Sequence, residues 1–184
     1  MKSKGLDTAF ARDLYILFRS YYLMNISLEL SEIAGIHAGD GHLRKNGKEV
    51  EISGSFEEKE YYDQRVIPLF NKEFGLDIRG KYFLTKGTYG FRTSNVKIKQ
   101  KLIELGFPKG KKGNIVEIPC EITNSKDKAI QISFLCGLFD TDGCITFDKK
   151  IKNSNLFKKQ RHYYPRILFS TTSPVLAVQT KSMT

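Results

Sequence analysis

Residues 33–41 read IAGIHAGDG, and residues 135–143 read LCGLFDTDG. Their last aspartates, Asp40 and Asp142, lie 102 positions apart, and glycine, an aliphatic residue, aspartate and glycine occupy the same places in both copies. The small residues Ala34, Gly35 and Ala38, and Cys136 and Gly137 in the second copy, allow another helix backbone to come close. Gly41 and Gly143 are expected to stop each helix in the left-handed conformation. Each aspartate then stands at a helix C-terminus, where the dipole is already negative. Two such acids side by side repel, and a divalent cation between them removes the repulsion. Asp-Gly is common in turns, so one copy would mean little. Two copies with the same apolar and small-residue lead-in, each followed by strand-like sequence, form an internal repeat.

These paired segments resemble the motifs of the LAGLIDADG homing endonucleases. The resemblance implies an α+β fold of two pseudo-symmetric αββαββα repeats, packed through the motif helices, with antiparallel sheets forming a DNA-binding saddle. It implies a site-specific double-strand DNA endonuclease that uses Mg2+, or another divalent cation such as Mn2+. By that resemblance Asp40 and Asp142 are the catalytic and metal-binding carboxylates, with Gly39 and Thr141 beside them at the metal. The first copy departs at its sixth position, where Ala38 replaces the commoner acid; Asp140 keeps it in the second copy. A lysine in the stretch after the last helix of a repeat assists at the phosphate in this family. Gly110-Lys111-Lys112 fills that place here, with Lys112 the first choice. His37 is expected to be a packed or partly exposed histidine. Some relatives assist intron RNA splicing or regulate transcription, so a nucleic-acid-binding module without nuclease activity is the second reading, and intron RNA a second partner.

Outward from the first motif, Asn46-Gly47 reads as a hairpin turn between strands at 42–45 and 49–53. Alternation puts Val50 and Ile52 on one face and Glu49, Glu51 and Ser53 on the other. Ser55-Phe56-Glu57-Glu58 is a capping box opening a helix to Phe74, with Pro68 a kink inside it and Gly75 its stop. Strands at 78–84 and 89–93 join at Lys86-Gly87, and a helix from 95 to 105 ends at Gly106. This divides the chain into a helical N-terminal extension (1–28), a first repeat (29–108), a linker (109–125) and a second repeat (126–184). The second motif helix is expected over 126–140, then strands at 144–148 and 164–170 and a cap at Ser173-Pro174. Ser55 precedes Leu135 by 80 positions, but Ser173 precedes the last residue by only 11. The second repeat is therefore expected to be incomplete, as a fragment, as the product of a degenerate gene, or because another chain completes the fold; a monomer is expected unless a complementing chain supplies the rest.

The second hairpin is longer than the first: Gly143 to Ser173 spans 30 positions, against 14 from Gly41 to Ser55. The excess is basic and suits a reach along a DNA groove. Over the whole chain 30 Lys and Arg against 20 Asp and Glu give +10 and a pI near 9.4. That balance suits a double-stranded DNA partner. Outward strand residues and basic positions expected at DNA are Arg44, Lys45, Ser53, Arg79, Lys81, Arg92, Lys111, Thr146, Lys149, Lys150, Arg161 and Arg166. Three cysteines without CxxC spacing argue against a disulfide scaffold or zinc site and for an intracellular setting. Mean hydropathy is -0.35, and no run of 18 apolar residues suggests a membrane span. His37, His42 and His162 lack the spacing of an HNH nuclease.

Overall fold

In a computed structural model the chain is described over residues 26–151 and 161–183; the side chains of residues 148–163 lie outside that description, as does the expected extension up to residue 25. The fold is a mixed α+β arrangement of several helices and two small antiparallel sheets. Helix α1 (Leu28–Asp40) carries the first motif, and a later helix over Lys128–Asp142 carries the second. Ser27 caps α1 by accepting from the Leu30 N–H, and Asp127 caps the second helix by accepting from the Ala129 N–H. Every residue from Leu30 to Ala38 is buried, so α1 is a central helix enclosed on all sides.

The two motif helices touch through reciprocal contacts. Ser31 Oγ donates to the Ile130 carbonyl at 2.7 Å, and Ser133 Oγ donates to the Leu28 carbonyl at the same distance. A Cβ on Gly35 would stand 2.1 Å from the Phe134 carbonyl oxygen, and one on Gly137 would stand 2.2 Å from the Glu32 carbonyl oxygen. Both distances are far below contact, so the glycines let backbone meet backbone. Cys136, expected to share this role, is instead exposed on the outer side of its helix. The terminal glycines also act differently from expectation. Gly41 and Gly143 are extended rather than left-handed, with φ of -79° and -90°. They are needed for space: a Cβ would fall 2.0 Å from His37 Nδ1 and 2.1 Å from Phe139 Cδ2.

Strands β1 (Gly41–Leu43), β2 (Val50–Ser55), β3 (Lys81–Phe83) and β4 (Thr88–Thr93) form one sheet in the order β1-β2-β4-β3. Its inner residues Leu43, Val50, Ile52 and Phe91 are buried under residues 56–74. That segment opens as a 3-10 turn (Phe56–Glu58), continues through α2 (Lys59–Tyr61) and a π-helical turn (Tyr62–Val66), and ends in α3 (Ile67–Phe74). Pro68 has no N–H to continue the ladder, and just before it the register widens so that the Ile67 N–H donates to the Tyr62 carbonyl. Tyr62, Val66 and Phe70 turn inward, and Phe70 meets Phe91 edge-on at 4.9 Å. Arg65 anchors the segment to α1 through a two-pronged bond to buried Glu32, at 2.6 and 2.8 Å. Gly75, at φ 64°, stops α3. The strand expected from residue 78 begins only at Lys81, because both backbone groups of Ile78 bond the side chain of Asn71.

Helix α4 (Val96–Glu104) closes the first half, and α5 (Cys120–Thr123) precedes the second motif helix, here α6. The stretch between them, most of it expected as a linker, is packed: Phe107, Val116 and Ile118 are buried. The Gly110 N–H donates to the Leu43 carbonyl at 2.7 Å, tying this belt to β1. After α6, strands β5 (Gly143–Ile151) and β6 (Arg161–Phe169) form a two-stranded sheet, followed by α7 (Pro174–Met183). Ser173 caps α7 as expected, and its hydroxyl also donates to the belt at the Val116 carbonyl. Among the described residues no helix is long and apolar enough to cross a membrane.

Gly35→Ala drives a methyl into the backbone of α6 and is expected to destabilise the protein by about 3 kcal/mol, whereas the same substitution at an exposed mid-helix site stabilises by up to about 1 kcal/mol. Denaturant melts of the variant check this; an unchanged midpoint would mean the helices do not touch there.

Candidate functional site

The close contact of α1 and α6 delivers their C-terminal ends to one place. A Cβ on Gly39 would lie 2.0 Å from Thr141 Oγ1 and 3.2 Å from Asp142 Oδ2. The Asp142 carboxylate therefore reaches across to the α1 backbone one residue before Asp40. The expected quartet of Asp40, Asp142, Gly39 and Thr141 is brought together, although the Thr141 hydroxyl bonds back to its own helix at the Leu138 carbonyl, 3.1 Å away.

Lys112 enters this place from the belt. Its Nζ donates to the carbonyls of His37, Ala38 and Gly39 at 2.5, 2.6 and 2.5 Å. These carbonyls end the helix, where a cation is favoured. Burial pushes the Lys112 amine down to about 8, while the charges of Asp142 and Asp40 work to keep the proton on. Lys111, the adjacent alternative, is exposed.

Burial raises the Asp40 carboxyl to about 6. A hydrogen bond from the Tyr62 hydroxyl to Oδ2, 2.6 Å long, works against that rise, and the carboxylates of Glu58 and Asp142 add to it. Asp142 is raised too, chiefly by burial, and Lys112 opposes the rise. Neither Tyr62 nor Glu58 is foreshadowed by the motifs. Glu58 accepts from the Ser55 N–H at 2.6 Å as the capping box requires, and the same carboxylate borders Asp40 across Gly54. Tyr61, next along the helical segment, donates to Asp140 at 3.2 Å. Two successive residues project about 100° apart on a helix, so one can reach α1 and the other α6. His37 is buried, stacked edge-on against Phe107 at 4.6 Å, and held neutral by burial, which lowers its pKa well below the usual value.

Of the residues expected at DNA, Ser53, Lys81, Arg92, Thr146 and Arg166 lie on strands, Arg44 and Lys45 in the turn after β1, Arg79 just before β3, and Lys111 in the belt. The strand alternation holds: Glu51 pairs across with Arg92, and Ser53 sits beside Gly90, itself opposite Lys81. Glu51 is buried on that outer face as a hub. Lys86 donates to its Oε1 at 2.5 Å, and Arg92 donates twice to its Oε2, at 2.7 and 3.0 Å. Arg44 is paired with Glu49 at 2.9 Å, which accounts for both acids on the basic surface. An open groove of about 560 Å3 runs between His42, Arg44, Lys45, Asn46, Glu51 and Lys86. Arg79 and Lys81 are exposed at the start of β3, and Thr146 and Arg166 face each other across β5 and β6. Lys149 and Lys150 of β5 and Arg161 of β6 have side chains outside the described residues.

Among the described residues no group of three or more His, Cys, Asp and Glu side chains is arranged to hold a metal ion. The donors at the helix ends are two carboxylates, hard oxygen ligands of the kind Mg2+ takes when phosphate oxygens and water complete its shell. The chain matches no protein-family model, and comparison with curated proteins finds no match.

The raised Asp40 has a consequence for stability. Between the ordinary aspartate value of 3.8 and about 6, folded Asp40 holds a proton that the unfolded chain has released. Its contribution is present below 3.8 and is lost as pH rises through 6. Asp40→Asn should remove a fall of about 2 kcal/mol across that window. Parallel melts of both proteins at pH 4 and pH 6.5, without divalent cations, check it; identical pH slopes would contradict it.

Proposed function

We propose that this protein is a site-specific double-strand DNA endonuclease of the LAGLIDADG homing type, in which Asp40 and Asp142 hold Mg2+ or Mn2+. The observation that carries the reading is the meeting of two motif acids at the ends of helices joined by reciprocal glycine and serine contacts, with a buried lysine beside them. In this reading α1 and α6 form the axis between two αββαββα repeats, and the outward faces of β1–β4 and β5–β6 form a saddle on the duplex. The +10 charge and the exposed cations of those faces support binding to phosphates.

Asp40 and Asp142 would supply the protein's direct ligands, with the Gly39 and Thr141 backbones beside them. When bound, a divalent cation supplies charge neutralisation and a water of lowered pKa. Tyr62 fixes one oxygen of Asp40 and leaves the other outside that bond. Lys112 holds positive charge beside both carboxylates, where it can offset charge on a cleaved phosphate. Its bond to the Gly39 carbonyl competes with any ligand role for that oxygen.

A second reading is a nucleic-acid-binding module of the same fold without nuclease activity, acting on intron RNA or as a DNA-binding regulator. The β5–β6 hairpin favours it, because its apolar face is open where that of the first hairpin is closed.

A duplex selected from a randomised library for tight binding separates the two. The endonuclease cuts both strands of it with Mg2+, and Asp40→Asn or Asp142→Asn lowers cutting by about a hundredfold or more while binding stays within about threefold. Binding without cutting by the parent protein supports the module. Cutting by either variant at the parent rate overturns the site. Binding should also weaken steeply between 50 and 200 mM salt, by about tenfold or more, as several phosphate contacts release counterions.

A further inference from the structure

The outward face of the first sheet holds a buried acid at its centre. His42, Glu51 and Arg92 stand side by side across β1, β2 and β4. Glu51 is only 4% exposed, although it points away from the core that Val50 and Ile52 enter. Burial works to raise its carboxyl, and the bonds from Lys86 and Arg92 outweigh it, so the group stays below its usual range and is charged at neutral pH. A buried ion cluster gains little stability over an apolar replacement, so stability alone does not account for this one.

The bonds leave Glu51 no capacity to contact a ligand itself. Its Oε1 accepts from Lys86 at 2.5 Å and from the Ser53 hydroxyl at 3.4 Å, and its Oε2 accepts from both Nε and Nη2 of Arg92. With two lone pairs on each oxygen, the carboxylate is saturated. The consequence falls on Arg92. Its guanidinium is gripped along the Nε–Nη2 edge, and its Cζ lies 5.1 Å from the centre of the Phe83 ring. Neighbours on β2 and β3 thus hold it in place before any ligand arrives. Among the described residues Nη1 has no partner, and the side chain keeps 26% of its surface exposed. What remains open is the end edge, where Nη1 and Nη2 offer two parallel N–H donors.

A fixed pair of parallel donors fits a pair of neighbouring acceptors. On duplex DNA that pair is O6 and N7 of guanine in the major groove; adenine sets a donor beside its N7, and in the minor groove guanine adds a donor. We propose that Arg92 reads one guanine of the target duplex, and that Glu51 is the positioning residue that presents its donor edge. Lysine in place of Arg92 would keep the charge but lose the planar fork. Without the Glu51 charge the guanidinium would be free to turn to phosphates as well as bases. Affinity for any sequence would then persist while the choice of base faded. The proposal rests on the reading of this face as a DNA surface, and not on whether the protein cuts.

The test selects duplexes from a randomised library by binding to the full 184-residue protein without divalent cation, and repeats the selection with Arg92→Lys and Glu51→Gln. The parent is expected to prefer guanine at one position by about tenfold or more, and both variants to lose that preference alone. At that position 7-deazaguanine, which lacks the N7 acceptor, should weaken the parent by about tenfold and Arg92→Lys by under about twofold. In the free parent the Arg92 Nε–H should exchange with water far more slowly than that of exposed Arg79, a measurement that needs no substitution of Glu51. A consensus without an Arg92-dependent guanine would overturn the proposal. So would equally fast exchange at Arg92 and Arg79, or a folded Glu51→Gln protein that keeps the parent's preference. Weakening of all sequences alike by Glu51→Gln would reduce Glu51 to a structural part and overturn its positioning role. A parent that binds no duplex would sink the DNA reading itself, and the proposal with it.

Discussion

The backbones of α1 and α6 touch because neither Gly35 nor Gly137 carries a Cβ. Each glycine lies against a carbonyl oxygen of the opposite helix, and Ser31 and Ser133 add one hydrogen bond each way. A separation set by larger side chains would move the helix ends apart, and with them Asp40 and Asp142. Lys112 would also lose its setting, since it is held by the last carbonyls of α1 beside the Asp142 charge. Burial then acts on groups already forced together, raising both acids and lowering the lysine amine.

The contacts between helices are reciprocal, but the surroundings of the two acids are not. Asp40 is enclosed by Tyr62, Glu58 and the Lys112 end of the belt. Asp142 borders an open cavity, with Leu176 and Thr180 on α7 in the sector where Glu58 and Tyr62 stand in the first half. A carboxylate held by a phenol hydroxyl has less rotamer freedom than one facing open space. The two acids therefore start from different degrees of order. The same difference separates a closed four-stranded sheet from a two-stranded one with an open face.

What could be read from the residues was whatever depends on short spacing. The two motifs, the Asn46-Gly47 turn, the caps at Ser55 and Ser173, and the stops at Gly75 and Gly106 are local, and the structure has each of them. The outward alternation of Glu51 and Ser53 was also legible, since it depends only on strand period. What failed depends on partners distant in the chain. The belt after α4 looked like a linker because glycine and lysine dominate it, yet Val116 and Ile118 are buried and their backbones bond Ser173 and Gln179 at α7. The terminal glycines suggested a left-handed stop, but their cause is the His37 and Phe139 rings against them. Tyr62 lies 22 positions from Asp40, and no motif connects them; only the inward spacing of Tyr62, Val66 and Phe70 marked that helix face.

The central claim is that the acids ending α1 and α6 form one cation site. Titration of Mn2+ into the full protein at pH 7, followed by the electron paramagnetic resonance of the free ion, tests it most directly. Saturable loss of the free signal is expected for the parent chain, with that loss abolished when Asp40 and Asp142 are both asparagine. Equal Mn2+ uptake by the doubly substituted protein, or none by the parent, would contradict it.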